Sequence, residues 1–337
     1  MEPCTYEYRV ANMGLYAHDL VMNVCTQASD DAVIAWCMEV GLLPASMACP
    51  TCTGPMRVDK KRRLWRCNKT ECRKALSLRS GTVSFHSRLT LRCCVKLLYH
   101  FAIGTAATTA AQLCSVSQKA VTEWYGICRG YCSKEMIDCD MIVGGPGHVV
   151  EIDETSLKKK SKYNRGKQHP DFWVFGGFDR TSKKSFAIVT YDDRTKPTLC
   201  AQIARYIRPE THIISDMFAS YVSEGRKKNG TVTMHTLENN PLLEALRYRH
   251  TYVNHSKNFV DPTTGAHTNG IEGCWEAKLK RHIKAMRGVP KKLAAALIDE
   301  MLWRSWYFQP QAPVHEYFMG LVRAIVKHPA RFTTDKQ

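Results

Sequence analysis

The segment 148–155, HVVEIDET, alternates apolar and acidic residues and predicts a central β-strand. Successive side chains of a strand point to opposite faces, so Glu151 and Asp153 share one face and Ile152 lies on the other. Carboxylates on so apolar a strand need a partner, because an unpaired buried charge is costly. The segment also fits a strand end whose acids begin a solvated turn. The positions of other acidic residues further along the chain are needed to choose between these two interpretations.

The order of elements after residue 148 predicts an α/β fold in which helices surround a mixed sheet. Further strands are predicted at 172–179, 185–192, 211–216 and 249–253, and helices at 197–207, 269–287, 290–308 and 314–327. Ligands of such sheets gather at the ends of strands. Asp153 ends the first predicted strand, Asp216 ends the fourth, and Glu272 lies in the first turn of the long helix.

Carboxylates at Asp153, Asp216 and Glu272 can hold two hard cations, an arrangement that activates water for attack on phosphorus. Oxygen ligands select Mg²⁺ or Mn²⁺ over zinc. Two of these acids also have a structural interpretation. Asp216 could cap a following helix, and Glu272 could belong to a capping box with Asn269 as its N-cap. For either acid alone, the capping role is favoured.

The charge balance makes an acidic polymer the natural partner, because 48 Lys and Arg stand against 31 Asp and Glu, a net charge of +17. Nucleic acid is the leading candidate. A membrane surface is the alternative, but no stretch approaches the roughly 18 apolar residues of a membrane span, so we expect no membrane partner. The 337 residues predict two or three structural units. The odd number of cysteines, 15, favours a reducing compartment over a disulfide framework.

Two cysteine pairs predict a zinc ribbon. Cys49 and Cys52 form a C-x2-C pair, and Cys67 and Cys72 form a wider C-x4-C pair. Four thiolates close a tetrahedral shell around one structural Zn²⁺ when two turns present them from the ends of a hairpin. Chance pairing in a cysteine-rich chain is the alternative, but it does not explain why two pairs, a hairpin-length spacer and turn residues coincide.

Helical periodicity between residues 91 and 132 predicts three helices compatible with a helix-turn-helix unit. The third begins near Ser117 as N-cap, and its leading residues Gln118 and Lys119 are candidates for DNA contact. Its predicted buried stripe contains Ala120, Val121, Trp124, Ile127 and Tyr131. Three short helices are also a common packing unit without any ligand, and the sequence leaves both interpretations open.

A basic loop follows the acidic strand. Its cationic residues are Lys158, Lys159, Lys160, Lys162, Arg165 and Lys167. Cations this close in sequence to Asp153 are expected to neutralise DNA phosphates near a reacting bond. A solvated charge run that also serves as a nuclear-localisation signal is the alternative.

An ordered set of motifs gives a family resemblance. EIDET, YNRGK, FWVFGGFDR, SDMFASY and VNHSKNFVDPTTGAHTNGIEGCWEAKLK occur in this order within residues 148–287. The set is similar to the Merlin family of cut-and-paste transposases and their bacterial insertion-sequence relatives, in which a zinc ribbon is a usual N-terminal companion. The resemblance implies a ribonuclease H-like core whose Asp, Asp, Glu triad corresponds to Asp153, Asp216 and Glu272.

The resemblance also implies a reaction and its partners. Water on one metal attacks the phosphodiester at the element's end, and the freed 3′-hydroxyl then attacks target DNA, with Asp153 bridging two metals while Asp216 and Glu272 each hold one. The expected partners are double-stranded DNA, as terminal inverted repeats and as target, and a homodimer or larger assembly in the nucleus. The alternatives are a transposase-derived DNA-binding regulator without catalysis and a structure-selective nuclease without strand transfer.

The predicted division has four parts: an N-terminal helical segment at 1–45, the zinc ribbon at 46–80, the helix-turn-helix-like domain at 81–140 and the catalytic domain with its C-terminal helices at 141–337.

Overall fold

A computed structural model describes residues 17–27, 29–157, 173–226, 232–281, 283, 289–309 and 312–329. The chain divides into two compact units. One contains the described residues between 136 and 307, and the other contains those up to 135 together with those from 308 onward.

The helices are α1 Ala17–Thr26, α2 Asp31–Glu39, α3 Leu91–Ala102, α4 Ala107–Cys114, α5 Gln118–Ile137, α6 Lys196–Tyr206, α7 Asn269–Cys274, α8 Lys291–Tyr307 and α9 Val314–Lys327. The strands are β1 Met56–Asp59, β2 Leu64–Cys67, β3 Ala75–Ser77, β4 Val149–Ser156, β5 Trp173–Asp179, β6 Ser185–Tyr191, β7 His212–Asp216, β8 Ser223–Arg226, β9 Val232–His235 and β10 Arg249–Val253. A π-helical segment, Trp275–Lys280, continues α7. Within the described ranges, none of the helices has the length and apolar character that a bilayer crossing requires.

The unit that contains the N-terminal helices is built on an antiparallel ribbon with strand order β1-β2-β3. The third strand was not predicted, and it forms because the chain turns back after Cys72 and pairs with β2. The helix α9, which the predicted division counts with residues 141–337, packs on α1 and α3 of this unit. The stacked rings of Trp36 and Phe318, with centroids 5.9 Å apart, join α2 to α9.

Helix α5 buries more of its circumference than a single stripe. Val121, Trp124 and Tyr131 are buried, as predicted. The prediction for Ile127 is wrong, because its side chain is 39% exposed. Tyr125, Cys128 and Cys132 are buried instead, so a second set of helical positions faces the core.

The other unit contains a five-stranded mixed sheet with strand order β10-β7-β4-β5-β6, which confirms the predicted mixed α/β class. The central strand β4 pairs antiparallel with β5 and parallel with β7, and β7 pairs parallel with β10. Val150 and Ile152 of β4 are fully buried in the core beneath this sheet, where Ile213 of β7 and Ile203 of α6 also lie. The strand direction therefore changes between β4 and β5, because β5 runs antiparallel to β4 while β7 and β10 run parallel to it.

Candidate functional site

Strand register places two acids side by side. In the parallel pair of β4 and β7, Glu151 lies opposite Ile214. Continuing that register by two residues puts Asp153 opposite Asp216, the last residue of β7. Paired residues of adjacent parallel strands point to the same face, so both carboxylates project from the same face of the sheet. β4 itself continues past Asp153 to Ser156, so Asp153 does not end the strand.

Asp216 is not the cap of a helix, because the described residues after it form a turn and then β8. Its Oδ1 atom accepts a hydrogen bond from the backbone N–H of Phe218 at 3.0 Å. This local bond orients the carboxylate at the end of β7. The alternative interpretation of Asp216 as a helix N-cap is therefore wrong.

Glu272 lies in the first turn of α7. The capping box with Asn269 is not formed, because Thr268 is the N-cap residue and its hydroxyl donates to Glu272 Oε1 at 2.8 Å. His255 Nε2 lies 3.0 Å from the same hydroxyl and 3.7 Å from Glu272 Oε1. Two side chains thus fix the direction of the Glu272 carboxylate. The sequence singled out neither one for that role.

The charges of the three acids interact. Burial, together with the neighbouring charges of Asp216 and Glu272, raises the pKa of Asp153 to about 7. Burial also raises the pKa of Asp216, where the Glu272 charge adds to the increase and the Phe218 N–H and His255 oppose it. Carboxylates that repel one another in a desolvated place hold protons or bind cations. This arrangement suits hard divalent cations with oxygen ligands.

Trp275 connects the helix to the first acid. Its indole N–H donates to Asp153 Oδ2 at 3.1 Å, and its ring is 1% exposed. The ring crosses Gly176, the residue opposite Asp153 on β5, where an added Cβ would lie 2.5 Å from Trp275 Cη2. Trp275 is therefore a core residue that orients a carboxylate, and its ring is not free to stack on bases.

Glu154 is a fourth carboxylate that sequence reasoning did not assign to the site. Burial raises its pKa to about 8, with smaller contributions from the charges of Asp153 and Asp216, while Arg194 acts in the opposite direction. Its Oε1 atom is buried and has no hydrogen-bond partner among the described residues. The Arg194 guanidinium carbon lies 3.5 Å from the ring centroid of Trp173. The only sequence signal for Glu154 was its position next to Asp153 in the motif EIDET.

The four predicted zinc ligands come together in the other unit. The thiol sulfurs of Cys49, Cys52, Cys67 and Cys72 all lie within 4.8 Å of one another. The backbone N–H of Cys49 donates to Gly54 at 2.8 Å, and that of Cys72 donates to Lys69 at 3.2 Å, so each pair sits in a tight turn. The wider second spacing is accommodated by its turn. This four-cysteine cluster could hold a metal such as zinc.

The predicted DNA contacts are divided between described and undescribed parts of the chain. Gln118 and Lys119 are exposed at the start of α5. The Ser117 hydroxyl accepts from the backbone N–H of Ala120 at 3.2 Å, which is the N-cap contact expected there. The loop residues Lys158, Lys159, Lys160, Lys162, Arg165 and Lys167 lie outside the described residues.

Comparison with known proteins gives structural likeness alone. No protein-family model matches the chain, and no curated protein matches it. One similar solved structure is a chain of the simian T-cell lymphotropic virus intasome in complex with PP2A regulatory subunit B56 gamma, at 15% identity and TM-score 0.31, covering 65% of this chain and 76% of that one.

Two further structures are similar at this level. The HTLV-2 integrase catalytic core domain in complex with magnesium has 12% identity and TM-score 0.25, over 51% of this chain and 95% of that one. The Mos1 transposase paired-end complex with left transposon end has 10% identity and TM-score 0.26, over 69% and 75%. At scores this low, we argue function from the side chains of this chain.

Proposed function

We propose that the chain is a DNA transposase of the Merlin type, with a ribonuclease H-like core that cleaves element ends and joins them to target DNA. The observation that carries the proposal is the β4–β7 register, which puts Asp153 beside Asp216, together with the Glu272 charge, which raises the pKa of both aspartates. These residues come from two parallel strands and one helix, and their charges raise one another's cost of ionisation. A purely structural cluster would neutralise such charges with cationic partners.

The site fits two Mg²⁺ or Mn²⁺ ions, because its donors are carboxylate oxygens whose mutual repulsion a cation relieves. Asp153, Asp216 and Glu272 would hold these ions, which when bound would activate water and stabilise the leaving oxygen at phosphorus. Trp275 holds Asp153 in one orientation through its indole N–H. The Thr268 hydroxyl donates to Glu272, and His255 lies 3.7 Å from the same carboxylate oxygen, so both orient Glu272.

DNA binding in this proposal rests on charge and on the helical region. The net charge of +17 supports association with phosphate, and Gln118 and Lys119 would enter a groove while the basic loop at 158–167 neutralises phosphates. One structural Zn²⁺ would stabilise the cysteine ribbon. We further propose that the protein acts in the nucleus as a homodimer or larger assembly, since two element ends must be held together.

The proposal is tested by incubating purified protein with DNA that carries its own terminal inverted repeats. Cleavage and joining are expected only with Mg²⁺ or Mn²⁺. The variant Asp153→Asn should lose cleavage by about 10³-fold, roughly 4 kcal/mol of barrier, because it removes a metal ligand. Its DNA affinity should stay unchanged. Asp140→Asn, which alters an exposed aspartate before β4, is the matched control and should cleave like the parent.

Each other result supports a different function. If Asp153→Asn cuts as well as the parent, the assignment of the three acids is wrong. A parent that binds the repeats and never cuts them is the DNA-binding regulator. Cut ends without joined product indicate the structure-selective nuclease.

A further inference from the structure

We infer that the ion pair between the buried Glu151 and the half-buried Arg180 positions the helix that carries Glu272, so that Glu151 is a positioning residue for the metal site. This inference rests on the proposed function, because it concerns how the third carboxylate reaches the first two. Glu151 lies two residues before Asp153 on β4, and its side chain is 1% exposed. A carboxylate so deeply buried must be fully satisfied by its neighbours.

Both carboxylate oxygens of Glu151 are occupied by protein donors. Oε2 accepts from the backbone N–H of Ile271 at 2.8 Å, and Oε1 accepts from Arg180 Nε at 2.5 Å. Ile271 is the residue immediately before Glu272 in α7. The carboxylate therefore binds one of the free N–H groups at the start of this helix and pins the helix to the central strand.

Arg180 extends the same attachment to the segment before the helix. Its Nη2 atom donates to the backbone carbonyl of His267 at 2.8 Å, and it also lies 3.0 Å from the His267 ring nitrogen Nδ1. Glu151 and Arg180 thus hold the chain on both sides of Thr268, the residue whose hydroxyl contacts Glu272. Together with the Trp275–Asp153 bond, the helix is fixed to β4 before and after Glu272.

A glycine makes the close approach possible. An added Cβ at Gly270 would lie 2.9 Å from each carboxylate oxygen of Glu151 and 2.8 Å from Phe178 Cδ1. At Gly273, in the same helix, an added Cβ would meet nothing within 4 Å. Replacing Gly270 with alanine therefore disturbs the contact between the helix and Glu151, and replacing Gly273 with alanine does not.

The test measures Mn²⁺ binding by electron paramagnetic resonance, without DNA, for the parent, Gly270→Ala, Gly273→Ala and Glu151→Gln. Gly270→Ala should push the helix start away from Glu151 and weaken Mn²⁺ affinity by about 10-fold, as for other groups that orient metal ligands. Glu151→Gln removes the charge that Arg180 needs and should weaken affinity at least as much. Gly273→Ala should bind Mn²⁺ like the parent.

The outcomes separate this inference from the proposed function. If the parent binds Mn²⁺ no better than Asp153→Asn does, the proposed function fails. If the parent binds Mn²⁺ and both Gly270→Ala and Glu151→Gln match Gly273→Ala, the positioning role is refuted while the proposed function stands. A lower melting temperature with unchanged Mn²⁺ affinity also refutes it, because that pattern marks a merely structural pair. Should Gly270→Ala fail to fold by circular dichroism, Glu151→Gln decides.

Discussion

The cysteine cluster and the carboxylate cluster are two candidate metal sites built in opposite ways. The four thiols come from a stretch of the ribbon between Cys49 and Cys72, where two turns bring them together. The three acids come from β4, β7 and α7, and the pairing of β4 with β7 brings two of them together. The first site depends on local turns, and the second depends on the whole sheet.

This difference determines what each metal contributes. A ribbon of three short strands buries little apolar surface, so an ion bound to the four thiols would contribute much of its stability. The sheet around the acids has its own core of fully buried residues such as Val150, Phe175 and Ile213. The fold around the acids therefore does not depend on a cation, and a cation bound there would relieve repulsion among the carboxylates.

The largest expected effect is the loss of the ribbon when a thiol is removed. Structural zinc sites contribute about 10 to 16 kcal/mol of apparent binding free energy to folding. Elemental analysis should find one equivalent of zinc in the parent and none in Cys49→Ala, and the ribbon amides of the variant should lose their dispersion in NMR spectra. Cys37→Ala, which changes a buried cysteine outside the cluster, should keep the zinc. Full zinc content in Cys49→Ala would show that the four-cysteine cluster does not hold the zinc.

A smaller effect is expected on the pH dependence of the sheet unit. The pKa of Asp153 in the folded protein, about 7, lies above its ordinary value of 3.8. A raised folded pKa gives stability at low pH that is lost as the pH rises through about 7. Metal-free Asp153→Asn should therefore match the parent near pH 4 and become the more stable protein as the pH rises to about 8.

Thermal unfolding at several pH values measures this difference in stability between the parent and Asp153→Asn, and added Mn²⁺ provides a second test. Because a cation competes with the proton on Asp153, Mn²⁺ should stabilise the parent more at about pH 8 than at about pH 6. It should stabilise Asp153→Asn little at either pH. A stability difference between parent and variant that does not change with pH would contradict the repulsion on which the site rests.

The smallest effect is expected from Trp275→Phe, which removes the N–H donated to Asp153 together with the outer indole atoms that lie over Gly176. Hydrogen bonds to charged groups contribute about 1.5 to 3 kcal/mol, so we expect Mn²⁺ affinity to fall by about 10-fold. Trp306→Phe removes a comparable N–H bond to the Ser185 carbonyl. This control should lose stability and retain Mn²⁺ affinity. Equal Mn²⁺ affinities for the two variants would show that the Trp275 contact is only structural.

The sequence predicts those parts of the fold whose signals are local. The alternation around Val150 and Ile152, the β7 run ending in Asp216, and the cysteine spacing each predict the structure seen. The register between β4 and β7 could not be predicted, because it depends on contacts between segments far apart in the chain. The positions of the acids were expected from a resemblance, and strand pairing supplies the physical reason.

Other features lack any local signal. The antiparallel pair β8–β9 follows Asp216 where a helix was considered, because the apolar residues at 217–222 fit a helix as well as the turn that they form. The helix changes from α to π at Trp275, whose ring packs over Gly176, a residue far away in the sequence. Ile127 was expected in the core, but α5 buries Cys128 and Cys132 instead. Ile and Cys are both apolar, so the sequence does not tell which of them faces the core. The proximity of Glu154 to the other acids was recognised only from its burial in the structure.

The most direct measurement is anomalous X-ray diffraction from crystals soaked in Mn²⁺. The account predicts Mn²⁺ peaks within coordination distance of the carboxylates of Asp153, Asp216 and Glu272, and no such peaks in Asp153→Asn crystals. Mn²⁺ bound elsewhere in the parent, with these three carboxylates free of it, would contradict the account.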